Sequence, residues 1–155
     1  MDLWIEIARP ELRELLRNVD GLVLNDAESF QLTEERNVIR AGRKILGMGP
    51  SFVVVKKGEH GAVLVHADGE AALPAYPAAD VVDPTGAGDS FGGGMMGRLA
   101  ATEDKSFKGI LRAMAAGTVV ASFTIEEFSL GRLESLTKEE LEGREREFVE
   151  TLDLS

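Results

Sequence analysis

The sequence predicts an α/β fold with a mostly parallel sheet and helices on both faces. Three observations carry that prediction. Short apolar runs, Leu22-Val23-Leu24 and Phe52-Val53-Val54-Val55, sit between turn residues and are too short for helices. Longer stretches with helical apolar spacing separate them. Strand-like and helix-like segments alternate and then give way to a helical tail, the layout that covers a sheet from both sides.

From Pro10, the residues Leu12, Leu15, Leu16 and Val19 recur at helical spacing until Asp20-Gly21 breaks the run. Leu22–Leu24 reads as a buried strand ended by Asn25-Asp26, with Asp26 expected to cap a short helix through Phe30. Thr33-Glu34-Glu35-Arg36 resembles a capping start for the next helix. Its apolar face is Val38, Ile39, Ile45 and Leu46, and it stops at Gly47, Gly49 and Pro50. Phe52–Val55 is a second strand, Lys57–Gly61 a turn, Ala62–Val65 a third strand leading back, and Glu70–Tyr76 a fourth, pushed to an edge or bounded by Pro74 and Pro77. Asp80-Val81-Val82 reads as strand-like. Helices are expected over 89–101, 107–123 and 137–152. No repeat or linker is visible, so residues 1–155 read as one domain.

The bulk numbers exclude several classes. Twenty-seven acidic against 17 basic residues give a formal charge of −10, which argues against a nucleic-acid surface. The absence of cysteine excludes disulfides and thiolate metal sites. No run approaches ~18 consecutive apolar residues, so no membrane span is expected. The start Met1-Asp2-Leu3-Trp4-Ile5-Glu6 lacks the basic region of a signal peptide, which makes the cytoplasm the expected compartment. His60 and His66 have no metal-ligand spacing and read as surface residues.

Chemistry concentrates in Asp83-Pro84-Thr85-Gly86-Ala87-Gly88-Asp89-Ser90-Phe91-Gly92-Gly93-Gly94. A turn almost free of side chains runs into a helix, where backbone N–H groups face open space and the dipole favours negative charge. Gly86, Ala87 and Gly88 let a bulky anion reach those amides. Asp89 sits among them, placed to take a proton from an attacking hydroxyl. The bland alternative is a structural strand-to-helix turn. A dinucleotide fingerprint fails because Phe91 stands where its third glycine belongs, and a Walker loop fails for want of a Lys-Ser/Thr pair. The glycines Gly92 to Gly94 each cost about 1 kcal/mol against alanine in a helix, which points to close backbone approach by another helix or a ligand.

The whole string resembles the second signature of the PfkB family of carbohydrate and nucleoside kinases. That resemblance implies a ribokinase-like three-layer sandwich, truncated here to a C-terminal, nucleotide-binding half. It implies Asp89 as catalytic base and the amides of Gly86, Ala87 and Gly88 as an anion hole for the transferred phosphoryl. Asn25-Asp26-Ala27-Glu28 is similar to the family's Asn-x-x-Glu element. There the Asn lies near the ATP phosphates and the Glu helps hold Mg²⁺ through water; otherwise this is an Asn cap followed by a solvated Glu. Lys57, Gly58 and Gly61 match a family turn under the nucleotide, or form a plain turn needing positive φ at its glycines. Asp83 and Thr85 stand where several members offer oxygens to a monovalent cation such as K⁺; otherwise Asp83 caps the turn and Thr85 lines it. The small residues of 115–122 resemble the helix bordering the adenine pocket, or serve helix packing. The tail Ile125-Glu126-Glu127-Phe128-Ser129 resembles a family ending with Gly where Ser129 stands.

The activity so implied is transfer of the ATP γ-phosphoryl to a hydroxymethyl group of a sugar, with a nucleoside as the other acceptor class. ATP and Mg²⁺ are the implied cofactors. A non-catalytic nucleotide-binding module is the competing class. Truncation would expose a sheet edge, so association with a second copy or a complementary N-terminal half is expected.

Overall fold

A computed structural model describes residues 2–152. The chain forms two compact units, one up to Pro74 and one from Ala75, and each is described by itself.

In the first unit, helices α1 (Asp2–Ile7) and α2 (Arg9–Leu16) precede strand β1 (Gly21–Asn25). Helices α3 (Asp26–Thr33) and α4 (Val38–Leu46) lead to β2 (Phe52–Lys56). A 3-10 turn (Gly58–His60), β3 (Ala62–His66) and β4 (Gly69–Leu73) complete it. The sheet order is β1-β2-β3-β4. β1 and β2 are parallel, with Asn25 opposite Lys56, and the two remaining pairings are antiparallel. Parallel pairing is thus confined to β1 and β2 among the described residues. The reason is connection length: residues 57–61 and 67–68 are too short for a crossover, so β2, β3 and β4 must meander.

The apolar spacing read along α2 places Leu12 and Leu16 in a core with Ile5, Leu24, Leu32 and Ile45. Val53 and Val55, two residues apart and therefore on one face of β2, join it. Val54 between them is equally buried, so β2 is covered on both faces, as its unbroken apolar run demands.

Several boundaries differ from the sequence reading. The cap of α3 is Asn25, not Asp26, and the helix runs on to Thr33. Thr33 does not open the next helix but closes this one. Its hydroxyl donates to Ser29 O at 2.6 Å and accepts the Glu35 N–H at 3.3 Å. Asn37 caps α4 instead, its Oδ1 accepting the Ile39 and Arg40 N–H groups at 3.1 Å each. β4 ends at Leu73, because Pro74 has no N–H to continue the ladder. His66, read as a surface residue, has a side chain only 11% exposed. Its Nδ1 accepts the Asp68 N–H across the β3–β4 turn, which folds the ring in.

The second unit is helical: α5 (Ala87–Thr102), α6 (Phe107–Thr124), α7 (Gly131–Ser135) and α8 (Lys138–Leu152). Asp80–Val82 forms no strand. The Thr137-x-x-Glu140 pair caps α8 reciprocally: the Glu140 N–H donates to Thr137 Oγ1 at 3.2 Å and the Thr137 N–H to Glu140 Oε2 at 2.9 Å. Hydrogen bonds from Thr137, with Arg132 beyond them, hold the Glu140 carboxyl at about 2. Among the described residues no helix is long and apolar enough to cross a membrane.

α5 and α6 lie against each other through their glycines. A Cβ on Gly117 would meet Phe91 O at 2.5 Å, and one on Gly94 would meet Val120 Cγ2 at 2.8 Å. Of the triplet, Gly94 therefore serves helix packing, whereas a Cβ on Gly92 or Gly93 would meet nothing within 4 Å. Gly117→Ala is expected to cost about 1–3 kcal/mol through overpacking. Gly97, also open on α5, should gain about 1 kcal/mol on replacement by alanine. Urea unfolding of the two variants checks this, and a Gly117→Ala protein as stable as its parent would remove the close-approach account.

Candidate active site

The turn that carries the motif hangs from the end of α6. The N–H groups of Val82 and Asp83 both donate to Ile125 O, at 2.8 and 3.3 Å. Those long-range bonds take the place of the strand ladder expected for 80–82. Asp83 Oδ1 then accepts the Thr85 N–H at 2.9 Å. The Thr85 bonds, with a further N–H from Ser129, hold the Asp83 carboxyl below its usual range, so it stays ionised. Ser129 itself has φ 61°, the left-handed backbone that explains why a glycine is expected there.

Gly86 is the N-cap of α5 with φ 83°. A side-chain-bearing residue pays about 1–2 kcal/mol for that backbone, so the sharp entry into the helix depends on glycine. The first helical bond runs from the Ser90 N–H to Gly86 O at 2.9 Å. The Ala87 N–H, one of the amides read as an anion hole, turns back to Pro84 O at 3.2 Å and is engaged there. The Gly86 and Asp89 amides take no acceptor among the described residues. Asp89 is the third helical residue and lies in the acidic first turn of α5. It is exposed and makes no side-chain hydrogen bond or ion pair among the described residues. A helix start that keeps the Gly86 and Asp89 amides open beside a solvent-facing carboxylate is able to receive an anion and a proton together.

In the first unit, two predicted elements meet at one end of the parallel pair. Asn25 and Lys56 are register partners at the C-terminal ends of β1 and β2, so the Lys57–Gly61 turn leaves the sheet next to the Asn25 cap. The crevice outside strand C-termini is where open α/β sheets take ligands. Asn25 and Glu28 form a capping box: Asn25 Oδ1 accepts the Glu28 N–H at 2.8 Å, and Glu28 Oε2 accepts the Asn25 N–H at 2.8 Å. Glu28 is buried, so the solvated Glu of the bland reading is not what the fold holds. Burial pushes its carboxyl up, but hydrogen bonds, that from Asn25 among them, outweigh it and hold the group low. The Lys57 turn closes through Lys57 N–H to Gly61 O at 2.7 Å, with φ 57° at Gly58 and 85° at Gly61. A Cβ on Gly58 would meet nothing within 4 Å, leaving open ground above that backbone.

Among the described residues no group of three or more His, Asp or Glu converges as a metal cage. Mg²⁺ typically takes one or two carboxylates and fills its shell with water and phosphate oxygens. A single ionised carboxylate such as that of Glu28 fits a water-mediated contact of that kind. Asp83 and Thr85 are adjacent in the turn, but the oxygen Oδ1 of Asp83 is spent on the Thr85 amide.

Fold and turn together define an α/β protein with an anion-receptive helix start at an exposed carboxylate. The model of the pfkB family carbohydrate kinases matches residues 2–136, and the chain belongs to that family. It is 38% identical over 90 residues to a cytidine kinase of Thermococcus kodakarensis, covering 57% of this chain and 32% of that one. Its fold is ribokinase-like. It superposes with a TM-score of 0.78 and 22% identity on an aminoimidazole riboside kinase from Salmonella enterica, complexed with aminoimidazole riboside and an ATP analogue. That match covers 88% of this chain and 46% of the other. A fructokinase double mutant from Vibrio cholerae O395, in fructose, ADP and potassium ion bound form, gives 0.77 at 21% identity over 87% and 43%. The chain thus spans about a third of that curated relative and under half of the solved kinases.

Residue patterning missed the second unit's Glu126, Arg132 and Arg144. Arg132 Nε donates to Glu126 Oε2 at 3.0 Å and Arg144 Nη1 lies 2.6 Å from Glu126 Oε1. No spacing rule links positions so far apart in sequence.

The cap and any ligand role of Asn25 can be separated. Asn25→Ala should lose about 1 kcal/mol of stability while Asn25→Asp, which also caps, loses a few tenths at most. MgATP affinity by calorimetry should fall for both, because Asn25→Ala removes the side-chain amide and Asn25→Asp adds a carboxylate that repels phosphate. An Asn25→Asp protein that binds MgATP like its parent would leave Asn25 as a cap alone.

Proposed function

We propose that this chain carries the nucleotide side and the general base of an ATP-dependent kinase that phosphorylates a hydroxymethyl group of a sugar. The carrying observation is Asp89, exposed and unpartnered among the described residues, in the first turn of a helix opened by a left-handed Gly86.

Asp89 accepts the proton of the acceptor hydroxyl as its oxygen bonds to the γ-phosphorus and the bond to ADP breaks. General-base help of this kind is worth about 10²–10⁴ in rate. The amides of Gly86 and Gly88, with the positive end of α5, take up charge that builds on the transferred group. The Ala87 amide takes part by exchanging its 3.2 Å bond to Pro84 O for the anion. Mg²⁺, when bound, neutralises phosphate charge, and Glu28 would hold it through water. Asn25, Lys57, Gly58 and Gly61 are assigned to the nucleotide, and Asp83 and Thr85 to a monovalent cation. The names of the relatives, which include sugar and nucleoside kinases, support the acceptor class and keep a nucleoside beside a sugar.

A second reading has a specific observation behind it: the chain spans 46% of a solved kinase. Without a group that positions the acceptor, the proximity contribution of about 7–11 kcal/mol is forfeited, and the chain binds nucleotide without turnover.

ATP consumption over a panel of sugars and nucleosides, with calorimetry of MgATP, tests the assignment. Asp89→Asn should lower turnover by about 10²–10⁴-fold and leave MgATP affinity nearly unchanged. Retention of most activity would remove Asp89 as base. MgATP binding with no turnover on any acceptor would select the second reading.

A further inference from the structure

The geometry points to Arg144 of α8 as a positioning residue for the Asp83–Asp89 turn, acting through the C-terminal end of α6. This rests on the reading of that turn as the phosphoryl site.

The last four carbonyls of a helix lack intrahelical partners, so a helix end frays unless something holds it. Here the end of α6 has a task, because Ile125 O receives both N–H groups that suspend the turn. The residues flanking Ile125 are clamped. The Arg144 guanidinium lies 3.5 Å from the centroid of the Phe123 ring, and that of Arg132 lies 4.8 Å from it. Glu126 ties the two arginines together with one oxygen each, at 2.6 and 3.0 Å. Arg144 Nη1 also donates to Ser122 Oγ at 3.1 Å, and its guanidinium is 5.0 Å from the Tyr76 ring. Arg132 Nη2 reaches on to Glu140 at 2.8 Å.

Ser122, Phe123 and Glu126 thus bracket Ile125 from both sides in sequence, and Arg144 touches all three. These pairs are not exposed surface pairs of little worth: the Arg144 and Arg132 side chains are 19% and 17% exposed. A planar guanidinium can stack on a ring and bind a carboxylate at once, which an ammonium cannot do. The clamp therefore sets where Ile125 O points. That carbonyl sets the path of Val82 and Asp83, and three residues later the chain enters the left-handed Gly86. Thr124, also in this stretch, has its Cγ2 3.9 Å from the place a Gly86 Cβ would occupy. The clamp residues act on the orientation of Asp89 through the backbone.

The test uses Arg144→Met, which keeps an apolar stem and removes the guanidinium, and Arg144→Lys, which keeps the charge without the stack. Amide hydrogen exchange by NMR reads Val82 and Asp83 directly. In Arg144→Met, exchange at these two amides should rise about tenfold or more, the scale of one charged hydrogen-bond partner lost. Amides in the middle of α6, such as Val119, should keep their protection. MgATP affinity by calorimetry should fall several-fold, and Arg144→Lys should recover part of both effects. Unchanged exchange at Val82 and Asp83, or an equal rise throughout α6, overturns the proposal. If Arg144→Met does not fold, Glu126→Gln, which leaves both stacked arginines, gives the same reading at the same two amides. Failure of the parent protein to bind MgATP would sink the phosphoryl-site reading, whereas the exchange result judges the clamp by itself.

Discussion

The site depends on one backbone constraint: the chain must pass from the Asp83–Thr85 turn straight into α5. Gly86 at φ 83° makes that passage, and only glycine makes it without strain. Because the entry is abrupt, the amides of the first turn come forward together, and Asp89 is carried among them. An acid in the first turn sits well with the helix dipole, and the same geometry would draw a phosphate. The chemistry needs no net positive charge, which fits a chain with a formal charge of −10.

Everything behind that turn serves to hold it still. The Val82 and Asp83 amides donate to Ile125 O, α6 ends on the arginine–glutamate–phenylalanine clamp, and α5 lies on α6 through Gly94 and Gly117. Close helix approach makes the pair stiff, since neither backbone can shift without colliding with the other. In the first unit the same division holds. The Asn25–Glu28 box fixes a helix start, and the register of β1 on β2 brings the glycine turn beside it.

The sequence made short-range features readable and long-range ones not. The motif at 83–94, the strands over 22–24 and 52–55 and the long helices were legible, because each is decided by neighbouring residues. Asp80–Val82 reads as strand-like because paired valines favour β structure, whereas its partner, Ile125 O, lies over forty positions away. Asp26 was preferred to Asn25 as a cap because both residue types cap well, and only backbone geometry separates adjacent candidates. The burial of His66 follows from a turn hydrogen bond no periodicity reveals. The clamp was invisible for the same reason: Glu126, Arg132 and Arg144 look like ordinary charges on a polar tail. The excess of antiparallel pairing was legible in principle from the short links at 57–61 and 67–68.

The central claim is that the amides opening α5 receive phosphate. Amide NMR during a MgATP titration reads it most directly. The account predicts that the resonances of Gly86, Gly88 and Asp89 shift and saturate with one binding constant. Saturable binding that leaves those three resonances in place would contradict it.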